Sequence, residues 1–541
     1  MRPVRTAFLL PLAALVSVAA ALTVLIDWNL AHPEGTEWDE ASYFARLYQD
    51  HGAYERGGLF ELKEALLLED RHRPPAYRLL SAPVHMALGP DVRAIRTASL
   101  LCFLMTLYFV YRSGALFGGT GTGFVAVCIV ACSPAVLSSM RSLGTEWPLL
   151  LGLSGLTYFL LRIVMTGRSG SGVVLGIGLC AALAALGKLS FAPVALPMLL
   201  AAIVLARYTE TEEPKFSTLL LPGLIALAVI SPFYLANIYQ YYWYGHTATE
   251  WSSHGLYFWL GLAEPGSGFF LLGYMELLAF QVFGPLLSTA LALTIVLLLT
   301  RLYKRRAKTA EGTSPAAGAF LVPTGILTAA ILPLVILHMS GGNQNPRFLV
   351  PIVPIVAVLA AAAAARLLDG WVLKTMALLA TVQSVIVLAL MPGNAKIPRS
   401  HPVGALVAVS ERLPQWEWSR LKDEITGYGI ASPRIGFIGS SAAFNNRQIE
   451  IPWRKAGEDV TVTRLWHEND GAVDWAEVEA RIGETDVLLT FVPSEEPRPL
   501  AVNSFNSEFA DRMTGRPDFI GPVILQLGPG TGDPVFVFHR R

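Results

Sequence analysis

Apolar residues along this chain gather into long runs, most of them near the length that crosses a bilayer. A crossing helix needs ~20 mostly apolar residues, and such runs lie near 7–26, 94–116, 122–140, 147–165, 172–187, 189–206, 217–236, 269–299, 318–338, 348–366 and 371–391. The pattern predicts an α-helical polytopic membrane protein with about 11 transmembrane helices. The short pair at 172–206 reads as a tight hairpin around Gly187-Lys188. Arg2 and Arg5 ahead of the first run look like the start of a signal peptide. No small-residue cleavage site precedes Asp27, so a retained first span is expected.

With a cytoplasmic N-terminus, alternation puts Arg162, Arg168, Arg207, the cluster Arg301, Lys304, Arg305, Arg306 and Lys308, then Arg366 and Lys374 on the inner side. This obeys the positive-inside rule. The acidic stretch 209–213 also falls inside, but acids count little in that rule. Alternation leaves outside the 27–93 loop, the 141–147 turn, the aromatic-rich 237–268 loop, the 341–347 turn and everything after 392.

The 27–93 loop is long and partly helical. Thr36 with Asp39 three residues on resembles a capping box, and Tyr43 and Leu47 then share a face. Pro33 and Gly57-Gly58 punctuate it, and amphipathic helices on the membrane surface are expected. After residue 392 the composition turns soluble. Short strands are predicted at 434–439, 486–492, 523–527 and 535–539, with a helix at 474–482. Strands alternating with helices imply a small α/β domain. The chain thus divides into a membrane domain, 1–392, and a terminal extracytoplasmic α/β domain, 393–541.

Of the 541 residues 53% are hydrophobic and only 15% charged, where a soluble domain carries about 25%. Net charge is zero, which argues against a nucleic-acid partner. Cys102, Cys128, Cys132 and Cys180 all lie in apolar runs, so no disulfide framework or zinc motif is read. Gly436 and Gly439 follow a strand without completing a dinucleotide fingerprint. His467 and Asp486 read as ordinary surface or strand-end residues.

Candidate chemistry sits in the segments placed outside. Asp39-Glu40 follows the first run; a helix N-terminus would stabilise either acid, yet charge at a membrane exit often marks a working end. Neighbours on a helix do not share a face, so one acid points at a reacting group and the other could hold a base. Arg73-Pro74-Pro75-Ala76-Tyr77 presents a cation on a stiff extended segment, suited to a lipid phosphate or to a plain interfacial anchor. Arg141 and Glu146 share a short turn, either as an interfacial salt bridge or as cation and second acid of a cavity. Asp39 with Glu146 could bind a divalent cation, though two hard oxygens make an incomplete set. Lys188 and Arg347 complete the basic set.

Taken in order, these residues resemble the C-fold membrane glycosyltransferases, especially the branch of aminoarabinose transferases and protein O-mannosyltransferases. The shared features are Asp39-Glu40-x-x-Tyr43, basic-Pro-Pro-x-Tyr at Arg73 to Tyr77, Arg141 with Glu146 and Pro148, Leu186-Gly187-Lys188, and Arg347-Phe-Leu-Val-Pro-Ile-Val-Pro354. Ser42 replaces a basic residue some members carry, Glu146 the commoner Asp, and Phe348 the family's Tyr. The resemblance implies an inverting glycosyltransferase of the plasma (inner) membrane, taking a polyprenyl-phosphate-linked sugar to an acceptor hydroxyl on a lipid, glycan or protein. Asp39 would be the base, with Glu40 and Glu146 as accompanying acids. Tyr43, Arg73, Tyr77, Arg141, Lys188 and Arg347 would bind the donor. No cofactor beyond an optional divalent metal is implied. A flippase or transporter with an appended outer domain is the chief rival, and a solute receptor the next. Transporters place charges near the midplane in related halves, whereas these charges sit at one face and no repeat is found.

Overall fold

The computed structural model describes residues 8–32, 38–68, 70–71, 73–205, 216–243, 246, 270–306, 318–340, 345–368, 370–391, 404–410, 416–430, 432–439, 444–466, 473–491, 505–527 and 534–541. Arg2, Arg5, Pro33, Thr36, Arg207, the 209–213 stretch, Lys308, most of the 237–268 loop, residues 341–344 and His467 lie outside them. The described chain forms two compact units.

The first unit, residues 1–29, 66–80 and 96–411, is helical. Among the described residues six helices are long and apolar enough to cross a membrane: Leu9–Ala31, Val92–Gly118, Glu146–Thr166, Phe320–Ser340, Pro346–Leu367 and Gly370–Leu390. Two further apolar runs are bent pairs, Thr120–Ala131 with Pro134–Arg141 at 63° and Leu271–Phe283 with Pro285–Arg301 at 117°. Ser171–Gly187, Leu189–Leu205 and Leu220–Ala236 are apolar but short. Every predicted run is therefore helical, while the helices able to cross number six, or eight if each bent pair is one span. The run at 269–299, expected as one span, turns sharply at Gly284, whose φ of +82° a side chain would strain.

Breaks inside an apolar layer free backbone groups that lipid cannot satisfy. One buried side chain from Gly370–Leu390 attends to both. Gln383 Nε2 donates to Cys132 O at 2.9 Å in the first bend and to Phe283 O at 2.7 Å in the second. Its Oε1 accepts from the Leu286 and Leu287 amides at 3.1 and 3.2 Å. Ser133 Oγ adds a bond to Val282 O at 2.6 Å, tying one bend to the other.

Glycines set the approach of Glu146–Thr166 to Ser171–Gly187. A Cβ on Gly152 would meet Ala184 N at 2.5 Å, and one on Gly187 would meet Leu149 N at 2.7 Å. Small residues let membrane helices pack this closely. The hairpin expected at 172–206 does not form as a packed pair. Ser171–Gly187 lies along Glu146–Thr166 and Phe216–Ala236, whereas Ala192–Leu205 lies along Gly318–Ser340.

The second unit gathers residues 30–65, 81–95 and 412–541. Helix Trp38–Leu68 breaks at Gly57-Gly58, with Gly58 at φ +63°, where the glycine pair predicted punctuation. The C-terminal part is a five-stranded sheet in the order β2-β1-β3-β5-β4. The strands are β1 Arg434–Phe437, β2 Thr461–Arg464, β3 Val487–Phe491, β4 Phe519–Leu525 and β5 Val535–Arg540. β1 is parallel to β2 and β3, and β5 runs antiparallel to β3 and β4. Both faces are covered. Phe437, Phe444, Trp453 and Leu489 pack on one side, and Leu488, Val478, Phe509 and Phe538 on the other. Asp486 is the strand-end residue expected, pairing with Arg434 across β1 and β3 at 2.8 Å.

Replacing Gln383 by Leu keeps the volume and removes four bonds to bent backbone. We expect a loss of at least about 2 kcal/mol, since an abandoned buried polar group costs ~1–3 kcal/mol. Thermal unfolding of the purified protein in detergent should register it as a clear fall in Tm.

Candidate active site

Three segments singled out in the sequence meet within the first unit. Glu146 opens the helix Glu146–Thr166, where the helix dipole favours its charge, and is 8% exposed. Lys188 follows Ser171–Gly187. Because Gly187 lies directly against the Leu149 backbone, Lys188 arrives beside the first turn of its neighbour. Its Nζ donates to Glu146 Oε1 at 2.5 Å. The ammonium also stands 4.5 Å from the centre of the Phe348 ring. The Arg347 guanidinium lies 5.3 Å from the same ring. Two half-buried cations thus share one aromatic platform, and a carboxylate faces one of them.

The segment carrying Arg347 and Phe348 is itself braced. It is a 3-10 helix, Pro346–Ile352, capped by the Asn345 side chain, which accepts from Arg347 N at 3.1 Å. His338 Nε2 contacts Asn345 O at 3.1 Å, and Tyr274 OH contacts His338 Nδ1 at 3.0 Å. A carbonyl can only accept, so Nε2 carries the proton and Nδ1 accepts from the phenol. The 3-10 helix also packs against Pro134–Arg141, the π-helical turn Leu277–Phe283 and Glu146–Thr166.

Arg141 ends Pro134–Arg141 and donates to Ala408 O and Val409 O at 2.5 and 3.0 Å, its guanidinium 3.9 Å from the Trp28 ring centre. It thereby ties down the last turn of helix Gly404–Ser410. Tyr77 is fully buried and donates to buried Asp70 at 3.2 Å, while Arg73 N closes the intervening turn onto Asp70 O. Arg73 is half-buried on that turn. In the second unit Asp39 and Glu40 occupy the first turn of Trp38–Leu68. Glu40 and Tyr43 are buried and Asp39 half-buried, so the two acids do face differently. Among the described residues no three His, Cys, Asp or Glu side chains converge as metal ligands.

Sequence reasoning noted Phe348 only as a departure and missed the Tyr274–His338–Asn345 brace. It also missed a histidine pair in the second unit. His51 and His85 meet edge to face, ring centres 5.6 Å apart, with His85 fully buried. Burial and then His51 hold the His85 ring below its ordinary pKa of 6.5, at about 4. The available signal was a stripe, Arg78, Ser81 and His85, at helical spacing along Ala76–Leu88.

A depressed histidine pKa means the unfolded chain takes up the proton first. The stability this burial allows is complete above pH 6.5 and is lost as pH falls toward about 4. The loss should reach at most about 3 kcal/mol. Melting curves across that window should show a falling Tm for the wild type and a flatter profile for His85→Leu.

Residues 72–235 match the family model of dolichyl-phosphate-mannose-protein mannosyltransferases. No curated protein sequence matches the chain. Among solved structures the chain is similar to ArnT from Cupriavidus metallidurans bound to undecaprenyl phosphate, at 12% identity and TM-score 0.57, covering 97% of each chain. It is also similar to the oligosaccharyltransferase of Archaeoglobus fulgidus, at 13% identity and TM-score 0.52, covering 90% of this chain and 68% of that one. A third likeness is to arabinofuranosyltransferase AftD from Mycobacteria, at 14% identity and TM-score 0.51, covering 97% of this chain and 40% of that one. At such identities the likeness is one of fold.

Proposed function

From a chain that has the fold of the C-type membrane glycosyltransferases, we propose an enzyme moving a sugar from a polyprenyl-phosphate donor to an acceptor hydroxyl at the outer face of the membrane. The observation that carries the reading is the meeting of Lys188 and Arg347 at Phe348, beside Glu146. Two cations in a partly buried place are what a departing lipid phosphate requires. Similarity over the whole chain to a protein bound to undecaprenyl phosphate supports it.

In this mechanism the Asp39 carboxylate takes the proton of the acceptor hydroxyl. The freed oxygen attacks the anomeric carbon from the face opposite the phosphate, and the bond from that carbon to the phosphate oxygen breaks. The electron pair leaves with the lipid phosphate, where Lys188, Arg347 and Arg73 stabilise the gathered charge. The configuration inverts. The phosphate–sugar bond is already activated, so no nucleotide takes part. Arg141 acts from behind, holding helix Gly404–Ser410, and Tyr77 shapes the turn that presents Arg73. The terminal α/β domain, 393–541, handles the acceptor or adds stability.

Asp39→Asn should lower sugar transfer about a hundredfold or more, the usual worth of a positioned base, with expression and membrane insertion intact. The assay supplies labelled polyprenyl-phosphate sugars to the purified protein in liposomes and looks for glycosylated product. Near-normal transfer by Asp39→Asn would remove Asp39 as the base. Labelled donor crossing the bilayer unchanged, with no product, would favour a flippase.

A further inference from the structure

We propose that Glu146 competes with the lipid phosphate for the Lys188 ammonium, holding the cation between turnovers and reclaiming it as the spent phosphate leaves. This rests on the reading of Lys188 and Arg347 as the phosphate seat. The Glu146 carboxylate now occupies one face of the ammonium at 2.5 Å. A carboxylate and a phosphate offer a lysine the same kind of partner, anionic oxygens, so each can stand in for the other.

Three features make exchange, rather than a fixed pair, the better account. First, the two cations are held differently. Arg347 is set by the cap that Asn345 places on its own amide, whereas Lys188 is a flexible stem leaving a helix end, able to turn its donors from one anion to another. Second, the Phe348 ring lies 4.5 Å from the ammonium and remains a partner whichever anion is bound, so the cation is not abandoned in transit. Third, Glu146 keeps a second source of positive potential when Lys188 turns away, since it stands in the first turn of its helix. The carboxylate also lies close over Gly144. A Cβ at that position would be 2.8 Å from Glu146 Oε2.

Exchange also answers a difficulty of the proposed reaction. Cations strong enough to stabilise the leaving phosphate would retain it as product. An internal carboxylate that takes one of them back lowers the affinity for the product, because the Lys188–Glu146 pair re-forms as the phosphate leaves.

The test is binding of undecaprenyl phosphate to the full-length protein in lipid nanodiscs, for wild type, Glu146→Gln, Lys188→Gln and the double variant. Exchange predicts that Glu146→Gln binds about fivefold or more tighter, the scale of a modest ion pair. It predicts that Lys188→Gln binds more weakly and that Glu146→Gln changes nothing in the Lys188→Gln background. Turnover by Glu146→Gln should show a first-turnover burst followed by a slowed steady state. Glu146→Asp, which keeps the charge on a shorter arm, should shift affinity in the same direction by less. A carboxylate that merely positions Lys188 would give the opposite sign, weaker binding in Glu146→Gln, and that result overturns the proposal while leaving the phosphate seat standing. Unchanged affinity in both single variants would instead overturn the seat itself.

Discussion

A backbone amide or carbonyl in hydrocarbon has no water to fall back on, and each break in a membrane helix uncovers several. Among its described residues the first unit contains two such breaks, and a single glutamine serves both. The arrangement reaches well beyond Gln383. Pro134–Arg141 and the π-helical turn Leu277–Phe283 flank the breaks, and both pack against the 3-10 helix that carries Arg347 and Phe348. The platform shared by the two cations is therefore held in place by hydrogen bonds made at the bends. Irregular backbone at this depth is tolerated where protein surrounds it.

Much of this was legible in the sequence and some was not, for identifiable reasons. Apolar runs report helices reliably because lipid demands them, and each predicted run is helical. The turn at Gly284 was not read because hydropathy averages straight across it; Gly284-Pro285 was a local cue inside an otherwise continuous run. The hairpin failed on partner choice. Gly152, Gly155, Gly178 and Gly187 are surfaces for close packing, but their letters do not say against which helix. Strand β2 escaped notice because Thr-Val-Thr-Arg is short and half exposed, at the edge of the sheet.

Within the site, residue types were easier to read than residue duties. Glu146, Lys188 and Arg347 stood out as charges next to apolar runs, and the fold brings them to one place. Arg141 stood out for the same reason, and its guanidinium donates to the end of a helix more than 260 residues downstream. A helix C-terminus and a lipid phosphate attract a cation by the same electrostatics, so sequence alone could not separate the two. Phe348 was visible only as a departure from a family pattern. An aromatic ring between two cations becomes meaningful once both are seen to lie beside it.

Among the described residues the sheet of the second unit is open, with β2 and β4 at its two margins. Open margins invite strands from other chains, and natural sheets blunt them with charge, proline or irregular register. Here β2 is only four residues long and ends in Arg464. Along β4 the pairing with β5 slips between Ile520 and Val523, where Pro522 has no amide hydrogen to offer. Neither margin presents an uninterrupted ladder, so the unit is protected against strand-by-strand self-association even though Ile520 and Ile524 stand exposed on β4.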